Sequence, residues 1–227
     1  SLLLLCSLTF QMQGQKTFYS KKIKAWELNK PSPNAQVKHS VFLIGDLKYP
    51  NDQNPVYQLL RDDMRSAGKN SSVLILGDIV YPLGMVDSSH IEFKNSIIEH
   101  DYVINLFKDH PGQSIFIPGN HDWERGRKNG WQHILDQEAY IEANMNRGNV
   151  YLPDGGGPGP GAVPLCDDIV LIVFDMQWFL QRHDKPGLKQ LGFEKVQDFF
   201  VHFEDIIMRN QQKKIIVASH HPLFSVG

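Results

Sequence analysis

Four apolar runs in this 227-residue chain end in side chains that can bind cations. Ser40–Ile44 leads into Gly45-Asp46, and Ser72–Leu76 leads into Gly77-Asp78-Ile79-Val80-Tyr81-Pro82. Ser114–Ile117 leads into Pro118-Gly119-Asn120-His121-Asp122, and Lys214–Ala218 leads into Ser219-His220-His221-Pro222. A lone Asp after a strand is ordinarily a helix cap or a turn residue, and for Asp46 alone that reading stands. Capping does not select Asn-His or His-His. Carboxylates gathered at one place repel each other unless cations sit between them. Oxygen and imidazole donors without thiolate suit iron, manganese, zinc or magnesium.

The elements that would position these residues follow from periodicity. The four runs, with Ile169–Phe174, are rich in Val, Ile, Leu and Phe and barely alternate, as strands covered on both faces should be. Between them, Pro55–Ala67, Ile91–Lys108, Trp131–Met145 and Phe193–Met208 carry apolar residues at helical spacing. Alternating strands and helices predict an α/β domain with a largely parallel central sheet. In such sheets ligands bind outside the carboxyl ends of the strands, so Asp46, Asp78, Asn120-His121 and His220 are expected at one rim. Glycine before each of the first three polar groups permits a sharp exit and close approach to an ion. Asp175-Met176-Gln177-Trp178 ends Ile169–Phe174 and makes Trp178 a candidate pocket wall, against its commoner core role. Pro153–Gly161 is nearly all Gly and Pro and reads as a mobile surface loop without the ending of a phosphate-binding P-loop. His39, His90, His100, His110, His133, His183 and His202 read as surface or packing residues. Gly45-Asp46-Leu47-Lys48 is not the Gly-rich turn that a dinucleotide-binding domain needs.

Composition sets the outer limits. Hydrophobic residues make up 41% and charged residues 21%, a globular balance. The formal net charge of -2, with scattered Lys and Arg, gives no footprint for nucleic acid. Residues 1–14 open with an apolar run too short to span a bilayer, which needs about 20 residues. They match the remainder of a secretory signal peptide, which predicts an exported protein with its domain over 15–227 and no transmembrane helix in this segment. Once that segment is removed, Cys166 is the only cysteine, so neither an internal disulfide nor a zinc site built on cysteine pairs is expected.

Asp46, Gly77-Asp78-Ile79-Val80-Tyr81, Gly119-Asn120-His121-Asp122 and Val217-Ala218-Ser219-His220, in that order, resemble the motif series of calcineurin-like metallophosphoesterases. Tyr81 points to the purple acid phosphatase branch. The resemblance implies a four-layer α/β/β/α fold, a β-sandwich flanked by helices, in place of a single parallel sheet. It implies two metal ions, Fe(III) with Fe, Zn or Mn(II). Asp46 and Tyr81 would bind the first, Asn120 and His220 the second, and Asp78 would bridge them. His121 would face the phosphate and help protonate the leaving group, and Asp122 would orient its imidazole through the other ring nitrogen. A metal-bridged hydroxide would hydrolyse a phosphate ester, either a small molecule or a phosphorylated substrate.

Three departures qualify the resemblance. Lys48 stands where the family usually has Gly or His, and it is a candidate phosphate contact or simply a solvated surface lysine. His221, beside a ligand position, is a second candidate contact. The last metal motif, Gly-His-x-His, is absent, and the strands assigned are too few for two sheets. Both predict a C-terminally incomplete domain. The alternative function is a non-catalytic binding module that keeps the fold.

Overall fold

The computed structural model describes residues 35–48 and 51–223. Its elements are β1 (Ser40–Ile44), α1 (Pro55–Ala67), β2 (Ser71–Leu76), α2 (Phe93–Phe107), β3 (Gln113–Ile117), α3 (Gly130–Met145), β4 (Gly161–Cys166), β5 (Ile169–Val173), α4 (Met176–Leu180), α5 (Val196–Arg209) and β6 (Lys214–Ala218). Among the described residues no helix is long and apolar enough to cross a membrane. The segment 1–14, read from sequence as a signal peptide, lies outside the described residues.

The strands do not form one central sheet. β1, β2 and β3 pair in parallel in that order. A second sheet has the order β4-β5-β6, with β4 antiparallel to β5 and β5 parallel to β6. Leu74, Ile115 and Ile117 from the first sheet cluster with Leu171, Val173 and Ala218 from the second, so the sheets pack face to face. Side chains alternate along a strand, and Val73, Ile75 and Phe116 therefore point the other way. They pack with Met64 of α1, Val103 and Phe107 of α2, and Ile134 and Ile141 of α3. Phe174, just past β5 and pointing opposite to Val173, meets Phe199 and Phe203 of α5 at 6.2 and 5.9 Å between ring centres. The layers run helices, sheet, sheet, helix. β2, β3 and β5 are coated on both faces and read as plain apolar runs for that reason, whereas β1 and β6 are apolar runs that leave Leu43 and Val217 exposed.

Two further expectations fail. β4 is absent from the sequence reading because Gly161–Cys166 carries Pro164 and few β-branched residues. It borders β5 alone among the described strands, and an edge tolerates a residue that cannot donate to the ladder. The Gly-Pro stretch from Pro153 to Gly161 is not a surface loop: Pro153, Gly156, Gly157, Pro158 and Pro160 are buried. The stretch is tied to α3 by Trp131 Nε1 donating to Gly155 O at 3.0 Å and by Gly155 N donating to Glu138 Oε2 at 2.8 Å. Gly and Pro report backbone conformation, not exposure.

Candidate metal centre

The parallel ladder puts the carboxyl ends of β1, β2 and β3 side by side, with Ile44 opposite Ile75 and Leu76 opposite Ile117. The chain leaves β1 and β2 through two aspartates in the left-handed region, Asp46 (φ 55°) and Asp78 (φ 51°). Asp tolerates this region better than most residues, but it is still sparsely populated and such strain collects at functional sites. The turns are fixed by Asp46 N donating to Gly77 O at 3.1 Å and Leu47 N to Asp78 O at 3.0 Å. At the end of β3 the backbone runs so close to the β2 exit that Gly119 admits no side chain. A Cβ there would run into Asp78 Oδ1 and Asp78 N.

Asp78 sits at the centre and is 3% exposed. Its Oδ2 accepts from Tyr81 Oη at 3.0 Å, and the same hydroxyl lies 2.9 Å from Asp46 Oδ1. Its Oδ1 accepts from His121 N at 2.8 Å and lies 3.6 Å from His220 Nε2. His220 Nε2 is in turn 3.2 Å from Asn120 Oδ1. Asp46, Asp78, Tyr81, Asn120 and His220, from four separate strand exits, are thereby brought together.

The protons show what this arrangement fits. The Leu76 carbonyl, 2.7 Å from His220 Nδ1, can only accept, so Nδ1 carries the proton. In the neutral ring, Nε2 then turns a lone pair toward two oxygens with no hydrogen between. Tyr81 has one proton for two carboxylates, and burial together with Asp46 and Asp78 pushes its ionisation far above the usual phenol range. More lone pairs than protons converge here, which matches a cation site. Among the described residues no group of three His, Cys, Asp or Glu side chains alone is placed to hold an ion. The convergence needs the phenol of Tyr81 and the amide of Asn120.

His121 adjoins the cluster, with Nε2 3.9 Å from Asp78 Oδ2 and its ring against Tyr81 at 4.2 Å. Its orientation does not come from Asp122. His121 Nδ1 donates to Pro82 O at 2.6 Å, whereas Asp122 lies wholly buried and accepts from Gly119 N, Asp78 N and Ile79 N at 2.7, 2.8 and 3.1 Å. The chain turns back at Pro82 and presents a carbonyl to the ring, so the neighbouring carboxylate is free to face inward. Burial, then the charge of Asp78, pushes the Asp122 carboxyl up to about 6, against the pull of its N–H donors.

Lys48 is exposed, its Nζ 5.9 Å from the Tyr81 ring centre. His221 packs edge-on to His220 at 5.0 Å, and its Nδ1 is buried without a hydrogen-bond partner. Burial, then His220, holds the His221 ring below the usual imidazole range. Trp178 is core: it joins the cluster between helices and sheet, and its Nε1 donates to Pro186 O. Asp175 caps α4 through Gln177 N and accepts from Trp123 Nε1 at 2.6 Å. The orienting groups that sequence reasoning missed, the Leu76 and Pro82 carbonyls, are backbone atoms with no residue signature. His100, His110 and His133 are buried packing residues, as expected.

No curated protein and no solved structure matches the chain. The model of one family does, over residues 39–227, and its description is calcineurin-like phosphoesterase. That span takes in every strand exit of the cluster and both sheets, and the observed layers are those of a metallophosphoesterase fold. The chain belongs to the calcineurin-like phosphoesterase family.

Proposed function

We propose that this chain hydrolyses phosphate esters with two metal ions that share Asp78. The observation that carries the reading is how Asp78 divides its carboxylate. Oδ2 meets Tyr81 Oη, which in turn meets Asp46, and Oδ1 lies 3.6 Å from His220 Nε2, which in turn meets Asn120. Membership in a family that usually binds two metal ions supports it. Asp46 and Tyr81 would hold the first ion, and Asn120 and His220 the second. A phenolate from Tyr81 favours Fe(III) there, with Fe, Zn or Mn(II) beside it, and ranks the chain with the purple acid phosphatases.

Such ions, when bound, lower the pKa of water toward neutrality and offset charge on the phosphoryl oxygens. The protein's share is positional. The Leu76 carbonyl fixes the His220 tautomer and leaves Nε2 as the donor atom. The Pro82 carbonyl holds the His121 Nδ1–H, so the imidazolium form of the ring presents its second N–H, on Nε2, to the departing alcohol and is left neutral when that proton is given up. Lys48, near the Tyr81 ring, and His221, against His220, are the candidate contacts to the ester. Loading with Mn(II) or Zn(II), metal analysis and assay with an aryl phosphate monoester and diester test the reading. Two ions per chain with turnover, both lost in Asp78→Asn, are expected. One ion per chain would end the shared-carboxylate reading. Two ions without turnover on any ester would favour a binding module.

A further inference from the structure

We propose that Asp122 is a positioning residue for the metal centre, a carboxylate clamp that sets the distance between the loops leaving β2 and β3. The inference rests on the two-ion reading. The β2 exit carries Asp78, and the β3 exit carries Asn120 and His121. Asp122 holds both loops through one atom: its Oδ2 accepts from Asp78 N on one loop and Gly119 N on the other. Oδ1 adds Ile79 N.

The lacing is reciprocal. The Asp78 carboxylate accepts from His121 N, on the loop that carries Asp122. Each loop thus gives its backbone N–H groups to the other loop's carboxylate, and the two aspartates are held back to back. A side-chain amide cannot replace this. Asn offers one acceptor oxygen, and its NH₂ would face a backbone N–H as donor against donor. The loops would part, and the donor atoms on them would lose their spacing. Outer-shell partners of this kind typically contribute about 10–100-fold to metal affinity.

The full chain is to be compared as Asp122→Asn, Asp122→Ala and Ile141→Val. The last is a core truncation on α3 that lowers stability without touching the rim. Three readouts are taken: Zn(II) affinity by calorimetry, amide exchange in the metal-free protein, and the pH profile of kcat at saturating metal. Both Asp122 variants should bind Zn(II) about 10–100-fold more weakly. Their Asp78, Ile79 and Gly119 amides should exchange faster. The pH limbs should stay in place, because the His121 ring is set by Pro82. Ile141→Val should keep wild-type affinity. Zn(II) affinity within twofold of wild type in both Asp122 variants, or an equal loss in Ile141→Val, would overturn the clamp. A shifted pH limb in Asp122→Asn would return Asp122 to orienting His121. A wild-type chain that binds no Zn(II) would remove the two-ion reading itself. Amide exchange in Asp122→Ala would then decide the clamp alone, with unchanged protection counting against it.

Discussion

Asn120 and His121 are sequence neighbours with opposite assignments, and the backbone makes the division. Asn120 Oδ1 points to His220, whereas the His121 ring turns to the Pro82 carbonyl and lies over Tyr81. His121→Ala should therefore keep its metal and lose about 10²–10⁴-fold in kcat, the usual contribution of a general acid. Asn120→Ala should lose metal first, and its activity should recover at high metal concentration. Metal analysis beside aryl phosphate kinetics checks the pair, and the reverse pattern would exchange the two roles. The residue types were legible in sequence because cation ligands are chemically distinctive. The partner of the His121 ring was not, since a carbonyl oxygen exists at every position and only the fold says which one is near.

At the scale of elements, function depends on how closely strand exits approach. Gly119 lies against Asp78, and Gly77 (φ 83°) lies against Gly119. Gly119→Ala forces the β2 and β3 exits apart. An overpacking cost of about 1–3 kcal/mol is expected, together with weaker metal binding. Denaturant unfolding and metal titration would show both, and an Ala variant with unchanged stability would mean the exits are looser than described. Five strands and four helices were readable because those strands are short, unbroken apolar runs and burial on one face writes a helical stripe. β4 was not, because an edge strand with an internal proline has neither signature. Pro153–Gly161 was misread for a related reason: its burial comes from α3, Trp131 and Glu138, which are remote from it in sequence.

For the whole molecule, two carboxyls outside the rim, the buried Asp175 and the half-buried Glu138, make stability depend on pH. Burial pushes Asp175 up to about 7, against donors on Trp123 and Gln177, and Glu138 also up to about 7. Both folded values lie above those of an unfolded chain, so the folded state binds these protons more tightly. The stability they lend is fully present below about pH 4 and is lost as pH rises through about 7. Metal-free protein, held so with a chelator, should melt at lower temperature at pH 8 than at pH 5.5. Asp175→Asn should flatten that slope. A slope of the same size in Asp175→Asn and in Glu138→Gln would mean the dependence arises elsewhere.

The sequence by itself determined the ligand types, their order along the chain and the strands that deliver them. These are local properties: an apolar run, a glycine exit, a polar group at its end. It also carried the family, because the ordered motifs survive as a string. The tertiary structure alone decided the rest. It split the strands into two facing sheets, joined by an apolar cluster whose members, Leu74 and Leu171 among them, lie far apart in sequence. It turned Asp122 inward to three backbone N–H groups and gave His121 to Pro82. It also brought His220 of the second sheet beneath Leu76 of the first, where one carbonyl fixes its proton. Hydrogen bonds to backbone atoms depend on chain path and not on residue type, so no reading of residue types could have placed them.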